Sequence, residues 1–167
     1  MGALGSDRSV HASPDPWIAA QLAFLRAAHD AGVPVLGICF GAQALAAALG
    51  GRVSAAAESE IGWIDVEGET GYGGRWFTWH EDAFTLPPGA QELARAPSGP
   101  QAFAVGASVG LQFHPEVTPA IVDGWLDGDG AQAPDPESLR GETARGAQDA
   151  RDRAFALFDR VAARWPG

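Results

Sequence analysis

The run Val33-Pro34-Val35-Leu36-Gly37-Ile38-Cys39 is apolar throughout and rich in β-branched residues, and it breaks at Phe40-Gly41 into the helix-forming stretch Ala42 to Leu49. A strand with no polar face has to be covered on both sides, as happens in a parallel sheet lying between helices. Ahead of it, Asp15 and Pro16 supply an N-cap and a first-turn proline. Ile18, Leu22, Leu25 and Ala28 then recur at helical spacing until Gly32 ends the pattern. A second apolar strand, GLQFH, comes late in the chain and ends in His114-Pro115-Glu116. Helix, strand, abrupt turn, helix and late strand predict an α/β layered fold with a largely parallel sheet. Sites in such sheets gather at the carboxyl ends of strands, where both Cys39 and His114 fall.

The chain has 167 residues, 46% of them hydrophobic, enough for one sizeable core, so a single domain over 1–167 is expected. Met1 to Pro14 reads as irregular. Between Arg52 and Val109, short strand-like pieces (IGWIDVEG, RWFTWH, QAFAVGA) alternate with Gly and Pro turns, and their order is not readable. Asp127 to Asp135 reads as an acidic exposed loop. From about Ala147 to Trp165, Ala150, Ala154, Leu157, Phe158, Val161 and Trp165 share one helical face, which predicts a helix docked on the core. Tryptophans such as Trp17, Trp63, Trp76 and Trp79 are expected to serve packing.

Eleven basic against 21 acidic side chains leave a formal charge of −10, which argues against nucleic acid or an anionic membrane as partner. One cysteine cannot close an internal disulfide, and the first residues lack the apolar core of a secretory leader, so a cytoplasmic location is expected. With no Cys pair, HExxH, Walker motif or GxGxxG after a strand, neither metal nor cofactor is expected.

Gly37-Ile38-Cys39-Phe40-Gly41 has the spacing of a nucleophile elbow, in which a strand turns sharply into a helix and the central side chain stands clear of the sheet. There the thiol meets a helix N-terminus, which favours thiolate, and the Phe40 backbone N–H points at any oxyanion formed at the sulfur. Taken alone, Cys39 reads sooner as a core thiol, since free cysteines are commonly buried. Likewise HPE alone reads as a surface histidine beside a capping glutamate. Together they read differently. Residues two apart in an extended segment project to one side, so Glu116 can fix the His114 ring and leave its other nitrogen for the Cys39 proton. Gln43 lies one helical turn past Cys39, on the same face.

GVPVLGICFGAQALAAALGGRV, EIGW, WHEDAF, LPPGA and GLQFHPEVTP, in that order, resemble the class I glutamine amidotransferase family, in particular stand-alone members similar to the glutaminase domain of GMP synthase. The resemblance runs from about Pro16 to Trp125. It implies a three-layer, flavodoxin-like fold and a Cys39, His114, Glu116 triad, with the Phe40 N–H in the oxyanion hole. It also implies that the triad hydrolyses the side-chain amide of glutamine through a γ-glutamyl thioester. It places Gln43 against the substrate and His80, in Trp79-His80-Glu81-Asp82, on a loop lining the substrate's amino-acid end. His11 and His29 show no partner pattern and are expected to be solvated. Members of the family usually hand ammonia to a synthetase or acceptor subunit, for which this chain has no room. Alternatives are a γ-glutamyl amide hydrolase on the same fold and a non-catalytic interaction module. A member of the intracellular protease and chaperone family fits HPE poorly.

The family normally places two strands and a helix ahead of the helix at Pro16, and Met1-Gly2-Ala3-Leu4-Gly5 resembles the end of its glycine-rich oxyanion loop. Fewer residues stand there than a βαβ unit needs. The expectation is therefore an N-terminally truncated frame starting at an internal Met1. Strand Val33 to Cys39 would then have an unpaired edge, with weak activity, low stability or self-association as consequences.

Overall fold

A computed structural model describes residues 2–3, 9–12, 15–129 and 133–165. In chain order the elements are β1 (Gly2–Ala3), α1 (Pro16–Asp30), β2 (Leu36–Ile38), α2 (Phe40–Ala48), β3 (Val53–Gly68) and β4 (Gly74–Phe84). They continue with β5 (Gln91–Ala96), β6 (Gly99–Val105), β7 (Ser108–Leu111), α3 (Pro119–Asp129) and α4 (Pro136–Ala162). The strands order as β1-β2-β7-β6-β5-β3-β4.

The three layers expected are present. On one face α1 and α2 bury Ile18, Leu25, Leu45 and Phe40 with Val35, Val53, Phe84 and Phe103. On the other, α4 sets Ala154, Leu157 and Val161 against Ile38, Val66, Trp76, Leu111 and Phe113. A third cluster joins Val122 and Leu126 of α3 and Leu139 of α4 to Phe77, with Ile61, Trp63 and Trp79 packed against it. Each fully buried Leu in these clusters contributes about 1.5–3 kcal/mol relative to exposure.

The sheet is parallel only across β1, β2 and β7; all pairings from β7 through β6, β5 and β3 to β4 are antiparallel. The expectation of a largely parallel sheet extrapolated from the two apolar strands that pair in parallel, β2 and β7. The rest of the sheet comes from antiparallel hairpins, which those two strands do not announce. β3 and β4 form a long hairpin with a register shift between Ala55 and Glu60, and β3 reaches β5 only at Glu67 and Gly68. Bulges increase local twist. The hairpin curls back until the Phe77 carbonyl accepts from the His114 N–H at 2.8 Å.

Other boundaries also move. The N-terminal segment expected to be irregular contributes β1, and Gly2 and Ala3 pair with Leu36 and Gly37. The edge of β2 expected to stand open is thus covered by two residues. Asp127 to Asp129 continue α3 and are not loop, and residues 130–132 of that predicted loop lie outside the described residues. The last helix starts at Pro136, well before Ala147, because Asp135 caps it by accepting from the Ser138 N–H at 3.0 Å and Pro136 opens its first turn. Among the described residues no helix is long and apolar enough to cross a membrane.

Candidate active site

β2 ends where its geometry cannot continue. Cys39 has φ 51° and ψ −109°, and it is the one non-glycine residue with positive φ among the described residues. Its N–H still joins the sheet, donating to the Leu111 carbonyl at 2.7 Å, while its carbonyl already accepts from Ala42 and Gln43 to start α2. Gly37 makes the tight turn feasible. A Cβ on Gly37 would lie 2.4 Å from the Gly41 carbonyl oxygen and 2.8 Å from the Ala42 nitrogen. Such close backbone approach admits only glycine. Phe40 is the first residue of α2, so its N–H belongs to the free donors of the helix N-terminus, and its ring packs on Trp17 at 5.7 Å.

Gln112 and His114 follow β7 and arrive beside the elbow. His114 is buried, with its Nδ1 2.7 Å from Glu116 Oε1 and its ring edge-on to Trp125 at 4.9 Å. Because Nδ1 is engaged by the carboxylate, Nε2 is the nitrogen left for the Cys39 sulfur. Burial, the largest influence, opposes a charged ring. Hydrogen bonds to Cys39 and Glu116, and the negative charge of both, outweigh it and push His114 up to about 10. The imidazole is thus a proton holder at neutral pH.

The sulfur has two further neighbours, the Trp79 carbonyl oxygen of β4 at 3.8 Å and the Gln112 Nε2 at 3.8 Å. Gln43, also buried, donates from Nε2 to the Asp82 carbonyl at 3.1 Å and to Gln112 Oε1 at 3.4 Å. Cys39, Gln43, His114 and Glu116 are therefore brought to one place in the fold.

His80 lies in β4, in contrast to the loop expected of it. It faces its cross-strand partner Glu60, with Nε2 3.1 Å from Glu60 Oε2, while its Nδ1 is buried without a hydrogen-bond partner. Burial alone would raise Glu60. The hydrogen bonds from His80, Ser98 and Gln101 overcome it and hold the carboxyl below the ordinary carboxylate range. What reaches the site from this segment is backbone on either side of His80, namely the Trp79 and Asp82 carbonyls. His11 and His29 are not free: His11 Nδ1 meets Ser9 Oγ at 2.7 Å and Asp82 Oδ2 at 3.3 Å, and His29 Nδ1 lies 3.4 Å from Ser108 Oγ.

Sequence reasoning missed Gln112, Trp125 and Glu60. For Gln112 a signal existed, since it stands two residues before His114 and projects to the same side of an extended segment. No group of three or more His, Cys, Asp or Glu among the described residues is placed to hold a metal ion.

A strained cysteine between a strand end and a helix start, beside a histidine held by a carboxylate, defines a cysteine–histidine centre on an α/β sheet. The class I glutamine amidotransferase model matches residues 11–124, and the chain belongs to that family. It is 45% identical over 98 residues to a protein named GMP synthase [glutamine-hydrolyzing] from Thermomicrobium roseum, covering 53% of this chain and 19% of that one. A protein of the same name from Ralstonia pickettii is 37% identical over 121 residues, with coverages of 60% and 22%. The chain thus spans about a fifth of the length of these curated relatives. Among solved structures, a glutamine amidotransferase from Thermotoga maritima superposes with TM-score 0.86 at 28% identity, covering 96% of this chain and 76% of that one. A glutamine amidotransferase from Methylobacillus flagellatus superposes with TM-score 0.88 at 25% identity, with coverages of 99% and 76%.

Proposed function

We propose that the chain hydrolyses the side-chain amide of glutamine to glutamate and ammonia, with Cys39, His114 and Glu116 as the triad. The observation that carries this reading is the elbow cysteine at positive φ beside a buried histidine whose Nδ1 sits 2.7 Å from Glu116. The Cys39 sulfur attacks the γ-carbonyl carbon, and the carbonyl π pair moves onto oxygen beside the Phe40 N–H. Collapse of this oxyanion breaks the C–N bond, and the His114 proton goes to the departing ammonia. Neutral His114 then takes a proton from water as it attacks the γ-glutamyl thioester, and the sulfur leaves with the C–S pair. His114 ends protonated, and the balance is one water consumed and one ammonia released. Glu116 orients the imidazole and stabilises its charge without taking the proton.

On the family resemblance, Gln43 is assigned to contact the bound substrate, and His80 to the segment lining the substrate's amino-acid end. Relatives named for both glutamine hydrolysis and synthesis, and about three times as long, support handing the ammonia to a synthetase-type acceptor. A single reduced thiol as nucleophile suits a reducing, cytoplasmic setting. The test is ammonia or amine release from glutamine and from a panel of γ-glutamyl amides by the purified chain. Release from glutamine, lost in Cys39→Ala, supports the reading. Turnover of γ-glutamyl peptides or polyamines with glutamine ignored favours a γ-glutamyl amide hydrolase, and no turnover of any member favours a non-catalytic module.

A further inference from the structure

We propose that Gln112 is a further catalytic residue, which donates a side-chain N–H to the Cys39 sulfur and stabilises its anionic form. This role rests on Cys39 being the nucleophile, and one neighbouring group has a fixed polarity. The Asp82 backbone carbonyl can only accept, so the Gln43 atom 3.1 Å away must be the amide nitrogen. That nitrogen carries two hydrogens, and the second points to the Gln112 amide at 3.4 Å, which must therefore present its oxygen. The Gln112 NH2 group is then turned to the sulfur, at 3.8 Å. A buried chain of carbonyl, amide, amide and sulfur results, in which reversing either glutamine would set acceptor against acceptor or donor against donor.

All three side chains are nearly sealed from water: Gln43 is 3% exposed, Gln112 1% and Cys39 7%. In such surroundings the orientation of an amide is not averaged by solvent, and a donor fixed on a developing charge acts strongly. The anchor is itself tied down, because the Asp82 carboxylate accepts from Ser9 Oγ at 2.5 Å and lies 3.3 Å from His11 Nδ1. Gln112 has no proton to exchange at neutral pH, so its role differs from that of His114. It holds the sulfur anion when the thiol ionises and again when the thioester C–S bond breaks and the electron pair returns to sulfur.

Other influences on the sulfur stay constant when Gln112 is changed. They are His114 with Glu116 behind it, the N-terminus of α2 and the neutral Trp79 carbonyl from β4. Further off, the Asp82 carboxylate is turned to Ser9 and His11, and Glu60 pairs with His80.

The experiment follows the rate of Cys39 alkylation by iodoacetamide against pH in the wild-type chain, Gln112→Met, Gln112→Glu and Gln43→Met. A charge-assisted hydrogen bond of this kind corresponds to about one to two pH units. Gln112→Met should move the midpoint up by about one unit, and Gln112→Glu further, since an acceptor replaces the donor. Gln43→Met should move it the same way by less, because the Gln112 amide is then free to turn over. With saturating glutamine, Gln112→Met should lower kcat while leaving KM nearly unchanged.

A measurement on the unsubstituted chain guards against variants that do not fold. The Gln112 side-chain amide resonances should shift with the pH midpoint of Cys39 and change on its alkylation. Superimposable alkylation profiles in folded variants, or a Gln112 amide that ignores the state of Cys39, would overturn the proposal. Neither readout needs glutamine turnover. An inert wild type with shifted midpoints removes the amidohydrolase reading and leaves the hydrogen bond standing, whereas Cys39-dependent turnover with unmoved midpoints removes only the role of Gln112.

Discussion

Cys39→Gly should yield a more stable protein than Cys39→Ala, although both remove the sulfur. The backbone at φ 51° and ψ −109° lies where a Cβ is disfavoured, and holding a non-glycine residue in such a region costs about 1–3 kcal/mol. Alanine keeps the Cβ and hence the strain, whereas glycine relieves it. Against this, glycine loses more chain entropy on folding, a penalty of roughly 0.5–1 kcal/mol. The balance favours Cys39→Gly by about 0.5–2 kcal/mol. Loss of the buried sulfur is common to the two variants and cancels. Urea unfolding monitored by the tryptophans gives the difference at equal m-values. A Cys39→Ala chain as stable as Cys39→Gly, or more so, would mean that the elbow is relaxed and that no strain is stored at Cys39.

His114→Ala should abolish glutamine turnover, whereas Glu116→Gln, which keeps a hydrogen-bond partner for the imidazole, should retain more; kcat of the two folded variants decides, and the reverse order refutes an orienting Glu116. Gly37→Ala drives a Cβ into the Gly41 and Ala42 backbone at 2.4–2.8 Å and should destabilise by about 3 kcal/mol, whereas Gly146→Ala in α4 meets nothing within 4 Å and should stabilise by roughly 0.5–1 kcal/mol, both read by chemical denaturation. Because the folded pKa of His114 is raised, its contribution to stability is complete below the unfolded value near 6.5 and is lost as pH rises through about 10. The stability gap between wild type and His114→Ala should therefore narrow between those limits, and a constant gap across that range contradicts a raised His114.

The parts of the site legible in the sequence are those set by neighbours along the chain. Gly37 to Gly41 fix the elbow by local sterics, and His114 and Glu116 meet because they lie two apart. Gln43 follows Cys39 by one helical turn. What could not be read depends on contacts distant in sequence. The Trp79 carbonyl meets Cys39 only because the β3–β4 hairpin curls back, and that curl goes with a register shift between Ala55 and Glu60 that no local pattern announces. Glu60 meets His80 for the same reason, which is why a residue assigned to a loop lies in a strand with a carboxylate across from it. The antiparallel half of the sheet was hidden because β5, Gln91–Ala96, carries two charges, Glu92 and Arg95, in six residues and has no β-branched side chain. The start of α4 was legible after all, in Asp135 and Pro136, but the surrounding acidic residues suggested loop.

If glutamine is the substrate, Cys39 should become acylated by its γ-carbonyl. That acylation is tested most directly by intact-mass and peptide analysis of the chain quenched in acid during turnover of glutamine. The account predicts a γ-glutamyl adduct on the Cys39 peptide, formed and lost at rates that accommodate steady-state ammonia release, and absent from Cys39→Ala together with that release. Ammonia release that persists in Cys39→Ala, or an adduct on any other residue, would contradict it.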